Sequence, residues 1–171
     1  VPKLLQDIQR NEPNGTYEVQ MVVKMMLMTA LRASAVTQLR WSWIKEVDGI
    51  KCFEIPPFVL VNGKKVPVVG VKRKFEDILN GTAKPLFVPI TDQMEELLDD
   101  IGHKTKHTDF IFLSTRGKKY PHVCPDAPNK YLRALGYKGK LTAHGWRSVF
   151  YTAGQDVFKT NLETIKRQMG H

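Results

Sequence analysis

Thr142-Ala143-His144-Gly145-Trp146-Arg147 is the stretch on which the reading of this 171-residue chain turns. It sets a histidine and an arginine one helical turn apart, so both side chains share a face if the segment opens a helix. A histidine moves protons near neutral pH. An arginine holds two oxygens of a phosphate at once. The pair therefore has the makings of half a site for chemistry on a phosphodiester. His-x-x-Arg also arises by chance, and a helix start with ordinary surface residues is the plainer reading of the stretch alone.

Charge is the first observation that bears on this choice. Twenty-six basic against 17 acidic residues give a net charge of +9 and an isoelectric point near 9.6. Such a balance favours a polyanionic partner, nucleic acid first. A hydrophobic content of 42% excludes a disordered tail and supports one folded domain. Cys52 and Cys124 make neither a disulfide scaffold nor a zinc site, which fits a reduced cytoplasm. No apolar run has membrane-spanning length, and no signal peptide opens the chain. The start at Val1 and the stop at Gly170-His171 read as cut ends of a longer protein.

Upstream, Val1 to Ile8 reads as a short helix with Leu4, Leu5 and Ile8 on one face, followed by a turn cluster from Asn11 to Thr16. Tyr17 to Ala30 reads as a buried helix. Val19, Val22, Val23, Met26, Leu27 and Ala30 carry the period, and Met21, Met25 and Met28 widen the apolar surface. Arg32 follows at a tight corner, either solvated or aimed into a cleft. Ser34 to Leu39 reads as another short helix, with Ser34 as a cap.

From Trp41 to Ile90 the pattern turns to strands. Ile50 to Ile55 alternates and ends at Pro56-Pro57. Phe58 to Val61 runs into Asn62-Gly63, Val66 to Val71 is β-rich, and Lys84 to Ile90 returns. These make a small antiparallel sheet with a basic hairpin at Lys72-Arg73-Lys74, a triplet that would also protect a strand edge. Helices are expected again from Thr91, from Asp126 to Leu135, from His144 to Ala153 with Trp146, Val149 and Phe150 inward, and from Leu162 to Met169. Phe110 to Leu113 reads as a short buried strand or core segment. Ser114 to Pro125 is a basic loop with Arg116, Lys118 and Lys119. His103 and His107, placed in a polar loop, lack a metal partner set. The fold class is mainly α with a small antiparallel β-sheet.

Taken in order, Thr29-Ala30-Leu31-Arg32, Leu39-Arg40-Trp41, the basic hairpin, Val88-Pro89-Ile90, His144-x-x-Arg147 and Met169-Gly170-His171 resemble the catalytic domain of the tyrosine recombinases, or phage integrases. Among them the chain looks most like the integrases of satellite phages and genomic islands. The resemblance covers essentially residues 1–171 and implies a DNA breaking-rejoining fold. It matches the family's first arginine to Arg32, its histidine and second arginine to His144 and Arg147, and its third-motif histidine to His171. The family's lysine falls in Gly70-Val71-Lys72-Arg73-Lys74, with Lys72 preferred and Lys74 next.

The pattern departs from the family in two places. Ala35 stands where the family commonly has an acid. The family's nucleophilic tyrosine follows the third-motif histidine, and none of Tyr17, Tyr120, Tyr131, Tyr137 or Tyr151 matches its motif, so it is expected beyond residue 171. The resemblance implies site-specific recombination of double-stranded DNA through a 3′-phosphotyrosyl link, with no cofactor and no metal. It further implies a tetramer on attachment sites, an accessory directionality factor, amino-terminal DNA-binding domains outside residues 1–171 and a cytoplasmic setting. The competing readings are a decayed DNA-binding module, a type IB topoisomerase and a basic RNA-binding protein. Phe53, Phe58 and Phe87 look too isolated on the sheet for the last of these.

Overall fold

A computed structural model describes residues 2–10, 15–115, 120–157 and 159–170. Residues 11–14 of the expected turn cluster, the cations Arg116, Lys118 and Lys119, and His171 lie outside them.

The core is built on α2 (Tyr17–Thr29), whose Met21, Val22, Val23, Met25 and Met26 are all buried. The Thr16 hydroxyl accepts from the Val19 amide and caps the helix. α2 packs against α5 (Asp92–Thr105) and α6 (Ala127–Leu132). α1 (Pro2–Arg10) joins a second cluster in which Leu4 and Ile8 meet Val23, Tyr131 and Leu132. Leu5, expected on that face, is exposed. α5 runs through His103, which was expected in a loop, because Met94, Leu97, Leu98 and Ile101 keep a buried stripe going. Ile111 and Phe112 are fully buried between two isolated bridges rather than in a strand.

The strand region forms two sheets instead of one. β1 (Ile44–Val47), β2 (Ile50–Ile55) and β5 (Leu86–Pro89) make an antiparallel sheet with Phe53 opposite Val88, both wholly buried. β3 (Phe58–Val61) and β4 (Lys64–Pro67) form a separate hairpin. Pro56 and Pro57 break the ladder between β2 and β3, since proline has no amide proton to donate. Asn62 and Gly63 both take positive φ, as a two-residue hairpin turn requires.

The basic triplet is not in a hairpin. β4 stops at Pro67, residues 68–74 form a loop, and a short helix α4 (Phe75–Leu79) follows. Glu76 and Asp77 occupy the first turn of α4, where negative charge is favoured. Ser34, expected to cap the next helix, lies within it. α3 spans Ala33–Val36, and Arg32 stands at its N-cap without a capping side chain.

α7 (Gly145–Thr152) and α8 (Leu162–Gln168) close the fold. A wide turn over Ala153–Val157 extends α7. Trp146 donates from Nε1 to the Leu27 carbonyl at 3.2 Å, whereas Val149, expected in the core, points outward and is exposed. Ile165 and Met169 do share a buried face, packed with Ala30 and Phe150.

Candidate functional site

The site grows from the corner where α2 gives way to α3. Ala30 ends α2 in the left-handed conformation, φ 54°, with its amide donating to the Met26 carbonyl. That turn leaves the Ala30 carbonyl outside the α2 ladder and brings Arg32 round to the α3 start. On the other side, Thr142 precedes α7 and closes the turn that leads into it. Its carbonyl accepts from the Trp146 amide and its hydroxyl from the Gly145 amide at 2.9 Å. Arg147 is thereby aimed inward and is only 2% exposed.

Its guanidinium bridges two elements. Nη1 donates to the Ala30 carbonyl, and Nη2 donates to the Met169 carbonyl at 2.9 Å. Gln168 adds a bond from Nε2 to the Thr29 carbonyl at 3.3 Å. The end of α8 is thus tied to the end of α2 through side chains that grip backbone. Burial pushes the Arg147 guanidinium down to about 10, with the charge of nearby Arg32 lowering it further. A buried cation beside a second cation favours an anion between or beside them.

Arg32 is half-buried and reaches the loop after β4, its Nη1 donating to the Gly70 carbonyl at 3.1 Å. The same loop is bonded to the far end of the chain, where the Lys72 amide donates to the Gly170 carbonyl at 2.9 Å. Segments 29–32, 70–72, 147 and 168–170 therefore converge. The Lys72 side chain is exposed beside them, and Lys74 is exposed at the start of α4. Arg73 is different. Its Nε and Nη2 donate to the Lys84 and Ile55 carbonyls, and burial lowers its proton affinity, so it anchors the loop.

His144 is exposed, immediately before α7. His171 follows Gly170, outside the described residues. The sequence reading missed the carbonyls that hold both arginines, that of Gly70 among them. Gly70 left one signal, a glycine interrupting the apolar run Val68-Val69-Gly70-Val71, which often marks close backbone approach. Among the described residues no cluster of histidine, cysteine or carboxylate side chains is arranged to hold a metal ion, and no helix is long and apolar enough to cross a membrane.

No family model matches the chain. It is 26% identical over 160 residues to the prophage integrase IntZ of Escherichia coli K12, covering 94% of this chain and 34% of that protein. It is 26% identical over 159 residues to the integrase of Shigella phage Sf6, covering 92% of this chain and 35% of that protein. The chain thus spans about a third of the length of the curated relatives it matches. Among solved structures it superposes on lambda integrase residues 75–356, crystallised as a dimer bound to a COC′ core site. That match has a TM-score of 0.60 and 19% identity, over 98% of this chain and 54% of that one. A lambda integrase tetramer bound to a Holliday junction matches with a TM-score of 0.56 and 18% identity, over all of this chain and 45% of that one. By sequence the chain is similar to phage and prophage integrases, and it folds as lambda integrase does.

Proposed function

We propose that residues 1–171 are the catalytic domain of a longer integrase that performs site-specific DNA recombination, integrating or excising a mobile element. The observation that carries this reading is the convergence of Arg32 with a buried Arg147, both held by backbone carbonyls and one lowering the other's proton affinity.

The reaction is an exchange at phosphorus. A tyrosine oxygen from the segment beyond residue 171 bonds to the scissile phosphorus, and the bond to the 5′-oxygen breaks. A 3′-phosphotyrosyl link and a free 5′-hydroxyl result. A second 5′-hydroxyl reverses the step, so the bond energy is conserved and no ATP enters. Arg32 and Arg147 stabilise the charge that builds on the non-bridging oxygens, through charge-assisted hydrogen bonds. Lys72, with Lys74 next in preference, protonates the departing 5′-oxygen. His144 exchanges the tyrosine proton, and His171 hydrogen-bonds the phosphate. The arginines supply the charge that a cation would otherwise supply.

The partners in this reading are double-stranded attachment sites and three further copies of the protein, with an accessory protein biasing direction, in the cytoplasm. Phosphate contacts supply much of the affinity, which falls steeply with salt.

The experiment is covalent trapping. The longer chain from the natural reading frame is incubated with nicked attachment-site DNA, beside its Arg147→Ala variant, and run on a denaturing gel. An adduct that disappears in the variant is the expected result. Tight DNA binding without an adduct would favour a decayed DNA-binding module instead.

A further inference from the structure

We propose that Gly70 and Gln38 are positioning residues: they seat the 69–72 loop on α3 so that the Gly70 carbonyl fixes Arg32 and the same loop holds Lys72 beside it. The inference rests on the assignment of Arg32 and Lys72 to the strand-transfer site.

The loop lies unusually close to α3. Gly70 has φ +93°, and a Cβ on it would sit 2.5 Å from Ser34 Oγ, 2.6 Å from the Ala35 amide nitrogen and 3.0 Å from the Ala35 Cβ. Only glycine fits, both for its conformation and for the space. Ala35 is itself fully buried, and a longer side chain there would push the loop away. Gln38, one turn further along, holds the loop from its flank. Its Nε2 donates to the Val69 carbonyl at 3.3 Å and also to the Ser34 carbonyl. Seated this way, the loop offers the Gly70 carbonyl to Arg32 Nη1. Two residues on, the Lys72 amide bonds the Gly170 carbonyl.

The consequence is mechanical coupling. Arg32 stands at the N-cap of a single-turn helix and draws no capping bond there. Its Gly70 bond joins it to the loop that carries Lys72. A loop that lifts from α3 therefore releases the arginine and moves the lysine together. Displacing a reacting group by about 1 Å can cost on the order of 100-fold in rate.

The test uses the longer chain, nicked DNA and single-turnover adduct formation, with DNA affinity measured separately by gel shift. Gly70→Ala lifts the loop by steric clash. Gln38→Ala loosens it with no clash and keeps the variant set informative if Gly70→Ala does not fold. The expected losses in rate are roughly 100-fold and roughly 10-fold, with affinity within about 3-fold of wild type. Each loss shrinks when the same change is made in an Arg32→Ala background, where only the part carried by Lys72 remains, because the loop acts through both side chains. A merely structural role would give the same loss in both backgrounds, and that result overturns the proposal. So do unchanged rates in both variants beside an active wild type. A wild type that forms no adduct overturns the strand-transfer reading itself, and this proposal with it.

Discussion

Arg147 donates from its guanidinium to the carbonyl of Ala30, the residue whose left-handed turn ends α2. The buried arginine of the candidate site is thus held by the feature that terminates the central helix. Ala30 is wholly enclosed with Ile165 and Met169. Ala30→Gly relieves a left-handed strain of about 1–2 kcal/mol and gives back about 0.5–1 kcal/mol in chain entropy. It should be neutral or slightly stabilising in urea unfolding. Ala30→Val adds β-branching at a positive φ in a filled core and should destabilise by about 3 kcal/mol or more.

Arg147→Lys should be nearly as damaging to the reaction as Arg147→Ala. The guanidinium fork satisfies the Ala30 and Met169 carbonyls from separate nitrogens. A lysine ammonium is a point charge and cannot hold both while facing a phosphate. Adduct formation should drop on the order of 10²–10³-fold. The pH dependence has a definite sign. A base whose folded value is lowered keeps its charge only below that value, so Arg147 remains a cation up to about pH 10 and loses its proton above it. The wild-type single-turnover rate should show no Arg147 limb between pH 7 and 9, by ordinary proton occupancy, and should fall at higher pH.

The parts of this arrangement that lie in side-chain type were legible in the sequence, and the parts that lie in backbone were not. The run of valines and methionines from Val19 to Met28 fixed α2, since few other structures bury so many at helical spacing. Asn62-Gly63 announced the β3–β4 hairpin by its turn chemistry. Phe75 to Leu79 was not legible as helix because five residues are too few to show a period. Arg32 and Arg147 could be named from type and order. Their partners could not, because a carbonyl has no letter of its own, and the left-handed turn at Ala30 is rare for alanine. Lys72, expected in a hairpin, lies in a loop shaped by Gly70.

Arg40 supplies a contrast with Arg32 and Arg147, the arginines of the candidate site. It lies over the Phe110 ring at 4.2 Å and the Trp43 ring at 5.7 Å, and it pairs with Asp109 at 2.5 Å. Burial alone would raise the Asp109 carboxyl, but bonds from Arg40 and Ser42 outweigh it and hold the group below its usual value. The pair is partly exposed, so its ionic contribution is discounted for solvent screening. Arg40→Ala should cost about 1–2 kcal/mol in urea unfolding, mostly from lost ring contacts. Once folded, the variant should form adduct at close to the wild-type rate. A loss as large as that of Arg147→Ala would put Arg40 in the reaction.

His122 gives the domain a pH-dependent stability of its own. Its ring is buried, lies 5.3 Å from that of Phe110 and 5.4 Å from that of Tyr120, and its Nδ1 is 2.9 Å from the Val123 carbonyl. Burial lowers its proton affinity, the Val123 carbonyl opposes this, and the charge of Arg40 adds to the lowering. The unfolded chain therefore takes up the proton at a higher pH than the folded one. Wherever the unfolded state binds more protons, stability rises with pH. The contribution is whole above the ordinary histidine value of 6.5 and is lost as pH falls below it. Thermal unfolding should thus move to lower temperature between pH 7.5 and pH 5.5, around that ordinary value. His122→Phe keeps a ring between Phe110 and Tyr120 and removes the titration. Its unfolding temperature should change less over the same range, and an equal change in both proteins would assign the effect to other groups.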